Sequence, residues 1–315
     1  MTSEPKTAVI AVGGNALSPP GEHATIADQF RHSRESLGPI VDFALDGWRV
    51  VVVHGNGPQV GDELVRNEKA RSEVAPLPLG VLVAGTAGWI GYMLQQSLEN
   101  ALRKAGSSRD VVTILTQVEV SADDPALKDP KKFIGHGLSV ARARELRNDG
   151  HPVKKDAKGR FRRVVGSPRP LAIHELPTIR NLVARDTLVI ACGGGGIPVY
   201  RDPKLGLEGV DAVVDKDLAA AVLARELEAE LLLILTDVDA VYTGWGTPEQ
   251  KAIDSMSVSE AERLAGSGAF GEGSMGPKVA AAVSYVRETG GRAIITELSS
   301  GRAAVRGSGG TEITP

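Results

Sequence analysis

Arg49-Val-Val-Val-Val-His-Gly-Asn-Gly-Pro58 is the stretch from which the fold can be read. The unbroken valine run predicts a strand buried on both faces, the pattern of a parallel sheet covered by helices. Gly55 and Gly57 follow at once and free the backbone for a tight turn, while Pro58 suits the first position of a helix. The same strand–glycine–helix unit recurs on either side. Ala8-Val-Ile-Ala-Val12 runs into Gly13-Gly14-Asn15, and a helical pattern from about 25 to 45 stops before Gly47. Val111–Leu115 predicts a third strand and Thr187–Ala191 a fourth, the latter entering Gly193–Gly196. Leu231–Leu235 and Arg292–Thr296 are a fifth and a sixth. Helices are predicted over about 217–228, 257–265 and 277–289; Ser257 and Glu260 have capping-box spacing, and Val279, Val283 and Val286 share one face. The expectation is an α/β protein, a three-layer αβα sandwich with a mainly parallel central sheet.

Composition narrows the function. The chain has 315 residues, with 36 Lys+Arg against 39 Asp+Glu, a formal net charge of -3. Lacking a basic surplus, it is not expected to have nucleic acid as its main partner. Cys192 is the single cysteine, which excludes an intrachain disulfide framework and a zinc ribbon. The six histidines show no ligand-like spacing, so no protein-held metal is expected. Met1-Thr-Ser-Glu-Pro-Lys6 has no apolar core of a secretory signal. Val74–Leu94 carries no charge, but Pro76, Pro78, Gly80, Gly85, Gly88 and Gly91 interrupt it, and it reads as a buried or subunit-facing helix rather than a span. A cytoplasmic location is the expectation.

One segment breaks the rhythm. From Ser121 to Pro170 the chain is polar, and cations concentrate at Lys131-Lys132 and over 154–163. About fifty residues are too many for a simple connection, so a protruding lid that carries a cation over a site is expected. Two motif matches fail on context. Gly266–Gly271 matches G-x-G-x-x-G but follows a helix pattern, and Gly271–Lys278 lacks the continuation of a Walker loop.

Three glycine-rich loops remain at strand ends: Gly13-Gly14-Asn15, Gly55-Asn56-Gly57 and Gly193–Gly196. Several such loops on one sheet edge make an anion-binding surface of backbone N–H groups. Lys216 and Lys278 each lie where a loop enters a helix. A lysine there opposes the helix dipole unless an anion occupies the same end, and Asp217 is placed to orient both ammonium groups.

With those residues in hand, the chain resembles the amino acid kinase family. The matching strings run from Val12-Gly-Gly-Asn-Ala-Leu17 and Val53-His-Gly-Asn-Gly-Pro-Gln-Val-Gly61 through Ile114-Leu-Thr-Gln-Val118, Asp129-Pro-Lys-Lys-Phe-Ile-Gly135 and Ser167-Pro-Arg-Pro170. They continue in Cys192-Gly-Gly-Gly-Gly-Ile-Pro-Val199, Val213-Val-Asp-Lys-Asp217, Ile234-Leu-Thr-Asp-Val-Asp239 and Gly273-Ser-Met-Gly-Pro-Lys278. Many members place a lysine just before the first glycine pair; here Ile10-Ala11-Val12 offers none. That resembles the branch whose lysine comes from a protruding subdomain, which by motif match is Lys132, with Lys131 its competitor. The family's amino acid kinase fold is implied, with carbamate bound by residues 1–186, the lid at about 121–170 inserted there, and nucleotide bound by 187–315. The implied reaction is ATP + carbamate ⇌ ADP + carbamoyl phosphate, with Mg2+ accompanying the nucleotide, in a homodimer serving arginine or related nitrogen breakdown. Lys132, Lys216, Asp217 and Lys278 are then catalytic. Gly13, Gly14, Asn15, Gly55, Asn56, Gly57, Gly194 and Gly195 hold the small substrate, and Thr236, Asp237, Asp239, Met275 and Pro277 the nucleotide. The chain departs from the family at Thr236-Asp-Val-Asp239, where T-G-V-D is common, and at Phe133, where a proline is usual. Rival expectations are a kinase of another small carboxylic acid and a non-catalytic nucleotide sensor.

Overall fold

The computed structural model describes residues 5–14, 25–156, 158–270 and 275–315. Among these, an eight-stranded sheet runs in the order Ser255–Ser257, Thr311–Thr314, Arg292–Glu297, Leu231–Thr236, Thr7–Val12, Arg49–His54, Leu188–Ile190, Val111–Thr113. The six strands from Arg292–Glu297 to Val111–Thr113 are parallel throughout. Thr311–Thr314 runs antiparallel to Arg292–Glu297, and Ser255–Ser257 follows its direction.

Why the central strands are apolar without alternation is visible in what covers them. Val9, Ala11, Val51, Val53, Leu232 and Ile234 face one core, shared with the helices Lys216–Glu226 and Gly276–Thr289. Ala8, Ile10, Val50, Val52, Leu231 and Leu233 face the other, shared with Gly38–Leu45 and Leu79–Lys104. Ala219, Ala220 and Ala224 are completely buried, and their short side chains let the first of these helices lie close on the sheet.

The structure differs from the sequence reading in two places. The helix expected over 25–45 is two helices, Ile26–Ser36 and Gly38–Leu45, because Pro39 has no N–H to continue the hydrogen-bond ladder, and Leu37 caps both. The uncharged stretch becomes helical only at Leu79, after Pro76 and Pro78. Its helix continues into charged residues to Lys104, and no helix among the described residues is long and apolar enough to cross a membrane. Leu188–Ile190 lies between Arg49–His54 and Val111–Thr113 in the same sheet.

The inserted segment has regular structure of its own. Lys132–Leu138, Phe161–Val165 and Val153–Lys155 form an antiparallel sheet, backed by the helix Val140–Asn148. Its core is small, with Ala143, Leu146 and Val153 packed by Leu138 and Phe161. Ile134 and Val165 seat this lid on Val60 and Leu64 of the helix Gly57–Lys69. Glu68 pairs with both Arg142 and Arg163, and His136 Nε2 lies 2.7 Å from Asp62 Oδ1.

Candidate functional site

Parallel pairing sends the carboxyl ends of Thr7–Val12, Arg49–His54, Leu188–Ile190 and Leu231–Thr236 to one edge, and the glycine loops meet there. They border a cleft of about 340 Å³, lined by Gly13, Gly14, Gly55, Asn56, Gly57 and Gly194 on one side. Lys132, Asp215, Lys216, Asp217, Thr236, Asp237, Pro277 and Lys278 supply much of the rest of the wall. The loops are too close for side chains. A Cβ on Gly55 would stand 2.9 Å from the Gly14 nitrogen, and one on Gly194, at φ +69°, would stand 2.3 Å from Asn56 Nδ2.

The charged floor is built from two helix starts. Lys216 opens the helix Lys216–Glu226, and Lys278 lies in the first turn of Gly276–Thr289. Both ammonium groups converge on Asp217: Lys216 Nζ donates to Oδ1, and Lys278 Nζ lies 3.1 Å from Oδ2. The lysine side chains are 11% and 12% exposed and that of Asp217 3%, so little solvent screens the group. Burial lowers the Lys216 pKa, and the neighbouring Lys278 charge adds to this, against the pull of Asp217. Asp217 therefore holds two like charges together.

Asp215 is a site residue that the sequence reading passed over. Its Oδ1 accepts from the Asp217 backbone N–H at 2.9 Å, capping the helix, while Oδ2 takes Lys132 Nζ at 2.5 Å. Burial alone would raise its pKa. Lys132 and Lys216 outweigh that and hold it at about 2. Asp just before a helix start is an N-cap signal, and that signal was available in Val213-Val-Asp-Lys-Asp217. Lys131 points elsewhere, 76% exposed and 3.2 Å from Asp129, so the lid places Lys132 in the cleft.

Other expected site residues separate. Gly195 turns inward against the Val214 carbonyl and does not line the cleft. Asp239 accepts from the Tyr242 hydroxyl at 2.8 Å, and Met275 sits at the cap of the last long helix; neither reaches the cleft wall. Asn15 lies outside the described residues. Among the described residues no group of three or more His, Cys, Asp or Glu is arranged to hold a metal ion.

Beneath the loops His54 is buried, with Nδ1–H donating to the Gly55 carbonyl at 3.1 Å and Nε2 against Gly193. Burial lowers its pKa from 6.5 to about 4. The unfolded chain then binds a proton at His54 that the folded chain refuses, so the stability held near neutrality is lost as pH falls from 6.5 to about 4. The loss should reach about 3 kcal/mol at 1.36 kcal/mol per pKa unit. His54→Gln should flatten the dependence of melting temperature on pH over that window; an unchanged slope would assign the acid sensitivity elsewhere.

Bare amides, glycine turns and paired ammonium groups at one sheet edge define a protein that handles phosphate. The sequence profile of the amino acid kinase family matches residues 6–297, and the chain belongs to that family. The carbamate kinase of Pyrococcus horikoshii is 42% identical over 314 residues, covering 99% of this chain and 100% of that one. The carbamate kinase of Clostridium perfringens is 43% identical, covering 97% and 98%. The structure of carbamate kinase from Giardia lamblia bound to AMP-PNP matches with a TM-score of 0.91 at 38% identity, covering 99% of each chain.

Proposed function

We propose that the chain catalyses reversible phosphoryl transfer between ATP and carbamate, ATP + carbamate ⇌ ADP + carbamoyl phosphate. The observation that carries this reading is Asp217 holding the Lys216 and Lys278 ammonium groups on the cleft floor opposite the glycine loops. A carbamate oxygen attacks the γ-phosphorus as the bond to the β,γ-bridging oxygen breaks, and ADP leaves with the electron pair. Carbamate is already an anion, so no proton must be removed and no general base is needed. Charge is the obstacle. Two unit charges 4 Å apart repel by about 4 kcal/mol at an effective dielectric near 20, and ATP carries several. Lysines and backbone N–H groups offset that repulsion and stabilise the spread charge of a loose, in-line transition state.

In this reading Gly13, Gly14, Gly55 and Asn56 hold carbamate, while Lys216 and Lys278 contact the transferring phosphoryl group and its neighbours. Lys132 leaves Asp215 to meet the incoming anion. Thr236, Asp237 and Pro277 border the nucleotide, which the C-terminal residues 187–315 hold. Asp215 and Asp217 are already engaged by lysines, so Mg2+ enters on the phosphates of MgATP or MgADP. The same reading places the enzyme in the cytoplasm, in arginine or related nitrogen breakdown. It pairs subunits through the outer face of the helix Leu79–Lys104, where Val81 and Tyr92 are exposed and Leu115, which borders the same groove as Tyr92, is exposed as well.

The test is ATP formation from carbamoyl phosphate and MgADP, run beside acetyl phosphate and acylated amino acid phosphates. Turnover with carbamoyl phosphate supports the proposal; turnover only with another acyl phosphate, or with none, overturns it. The seat of the lid is a second test. A Cβ on Gly61 would stand 2.4 Å from Gly135 Cα, so Gly61→Ala must push the lid strand away. Loss of alignment should lower kcat/KM roughly tenfold while the melting temperature stays near that of the parent. An unaltered kcat/KM would separate the lid from turnover.

A further inference from the structure

Thr86 lies about two turns into the helix Leu79–Lys104, is completely buried and does not line the cleft. Its hydroxyl oxygen is 2.9 Å from the carbonyl oxygens of both Leu82 and Val83, which can only accept, so the hydroxyl hydrogen is committed to its own helix. The oxygen then offers lone pairs alone. Asn56 Nδ2 meets it at 2.9 Å, from a residue that does line the cleft. A carboxamide has a donor end and an acceptor end of almost equal shape, and only its partners decide which way it points. The face of the Asn56 amide also packs on Gly194, whose missing side chain leaves the room it occupies.

We propose that Thr86 is a positioning residue for the phosphoryl acceptor: by accepting only, it fixes the sense of the Asn56 carboxamide in the acceptor half of the cleft. This rests on the carbamate reading above. Carbamate carries an NH2 donor at one end and carboxylate acceptors at the other, so a wall amide held in one orientation distinguishes the two ends. A wall amide free to turn does not.

The experiment compares Thr86→Val, which keeps the shape and removes the hydroxyl, with Thr86→Ser, which keeps the hydroxyl. In ATP formation from carbamoyl phosphate and MgADP, Thr86→Val should raise the KM for carbamoyl phosphate about tenfold, the scale of one lost buried hydrogen bond. The KM for MgADP should change by less than about twofold, since Asn56 is assigned to the acceptor and not to the nucleotide, and Thr86→Ser should recover most of the lost affinity. In an Asn56→Ala background, adding Thr86→Val should change the carbamoyl phosphate KM no further, which holds even if Thr86→Val alone is poorly folded. Equal KM values for Thr86→Val and the parent, a parallel rise for both substrates, or full additivity with Asn56→Ala would each overturn the proposal. A parent chain that makes no ATP from carbamoyl phosphate would instead overturn the carbamate reading on which it stands.

Discussion

Lys278→Ala and Lys216→Ala are each expected to lower kcat for ATP formation by about 10² or more, the scale of losing one preorganised electrostatic contact to a transition state. The reason lies in where the two groups sit. Each ammonium is about nine-tenths buried, and both are drawn to the two oxygens of Asp217. Their positions are set before substrate arrives, so no reorganisation is needed as charge spreads in the transition state. A freely solvated lysine would lose much of its benefit to screening. KM for MgADP should change less than kcat if these contacts strengthen as the phosphoryl group transfers. Arginine is not an equivalent replacement, because its planar fork cannot take the place of a point charge between Asp217 and a phosphate. Steady-state kinetics of the two variants, beside circular dichroism to confirm folding, provide the measurement. Turnover within about threefold of the parent in either variant would remove that lysine from the chemistry.

Asp217→Ala should be the most costly single change to stability in the cleft. It leaves two buried ammonium groups facing each other with no shared counter-charge, and removing one partner of a buried ion pair costs about 3–5 kcal/mol. Asp217→Asn retains the shape and part of the hydrogen bonding, and it permits a finer test. Burial and Lys278 already lower the Lys216 pKa, while Asp217 opposes them. Removing the carboxylate charge removes the opposition, so the Lys216 pKa falls further and the charged form is lost at lower pH. The alkaline limb of kcat/KM should therefore move toward neutrality in Asp217→Asn, with the acid limb little changed. Urea unfolding reads the first effect and a pH–rate profile the second. A stable Asp217→Ala with an unshifted alkaline limb would mean that the two lysines do not depend on this carboxylate.

Much of the architecture was legible because its signals are local. Uninterrupted valine, leucine and isoleucine runs announce strands buried on both faces, and glycines at their ends announce turns that approach a ligand. Lys216, Lys278 and Asp217 were legible for a different reason. Cations at helix starts are electrostatically misplaced, and the misplacement itself points to an anion. Boundaries were less legible. Pro39 breaks a helix that apolar periodicity alone would carry from 25 to 45. The lid's strands carry no uninterrupted apolar run, and their regularity comes from pairing with one another and from a core as small as Ala143, Leu146 and Val153.

The sequence by itself determined the class of fold, the edge at which ligands meet it and the lysine–aspartate–lysine group of the cleft floor, since period, glycine placement and charge sign are properties of short segments. Only the tertiary structure decided which of two adjacent lid lysines enters the cleft, that Asp215 receives it, and that Thr86 stands behind Asn56. It also removed Gly195, Asp239 and Met275 from the cleft wall. The Lys132–Asp215 and Asn56–Thr86 contacts join residues 30 to more than 80 apart in the chain. Such contacts arise only once the hydrophobic layers have packed, and no local propensity encodes them.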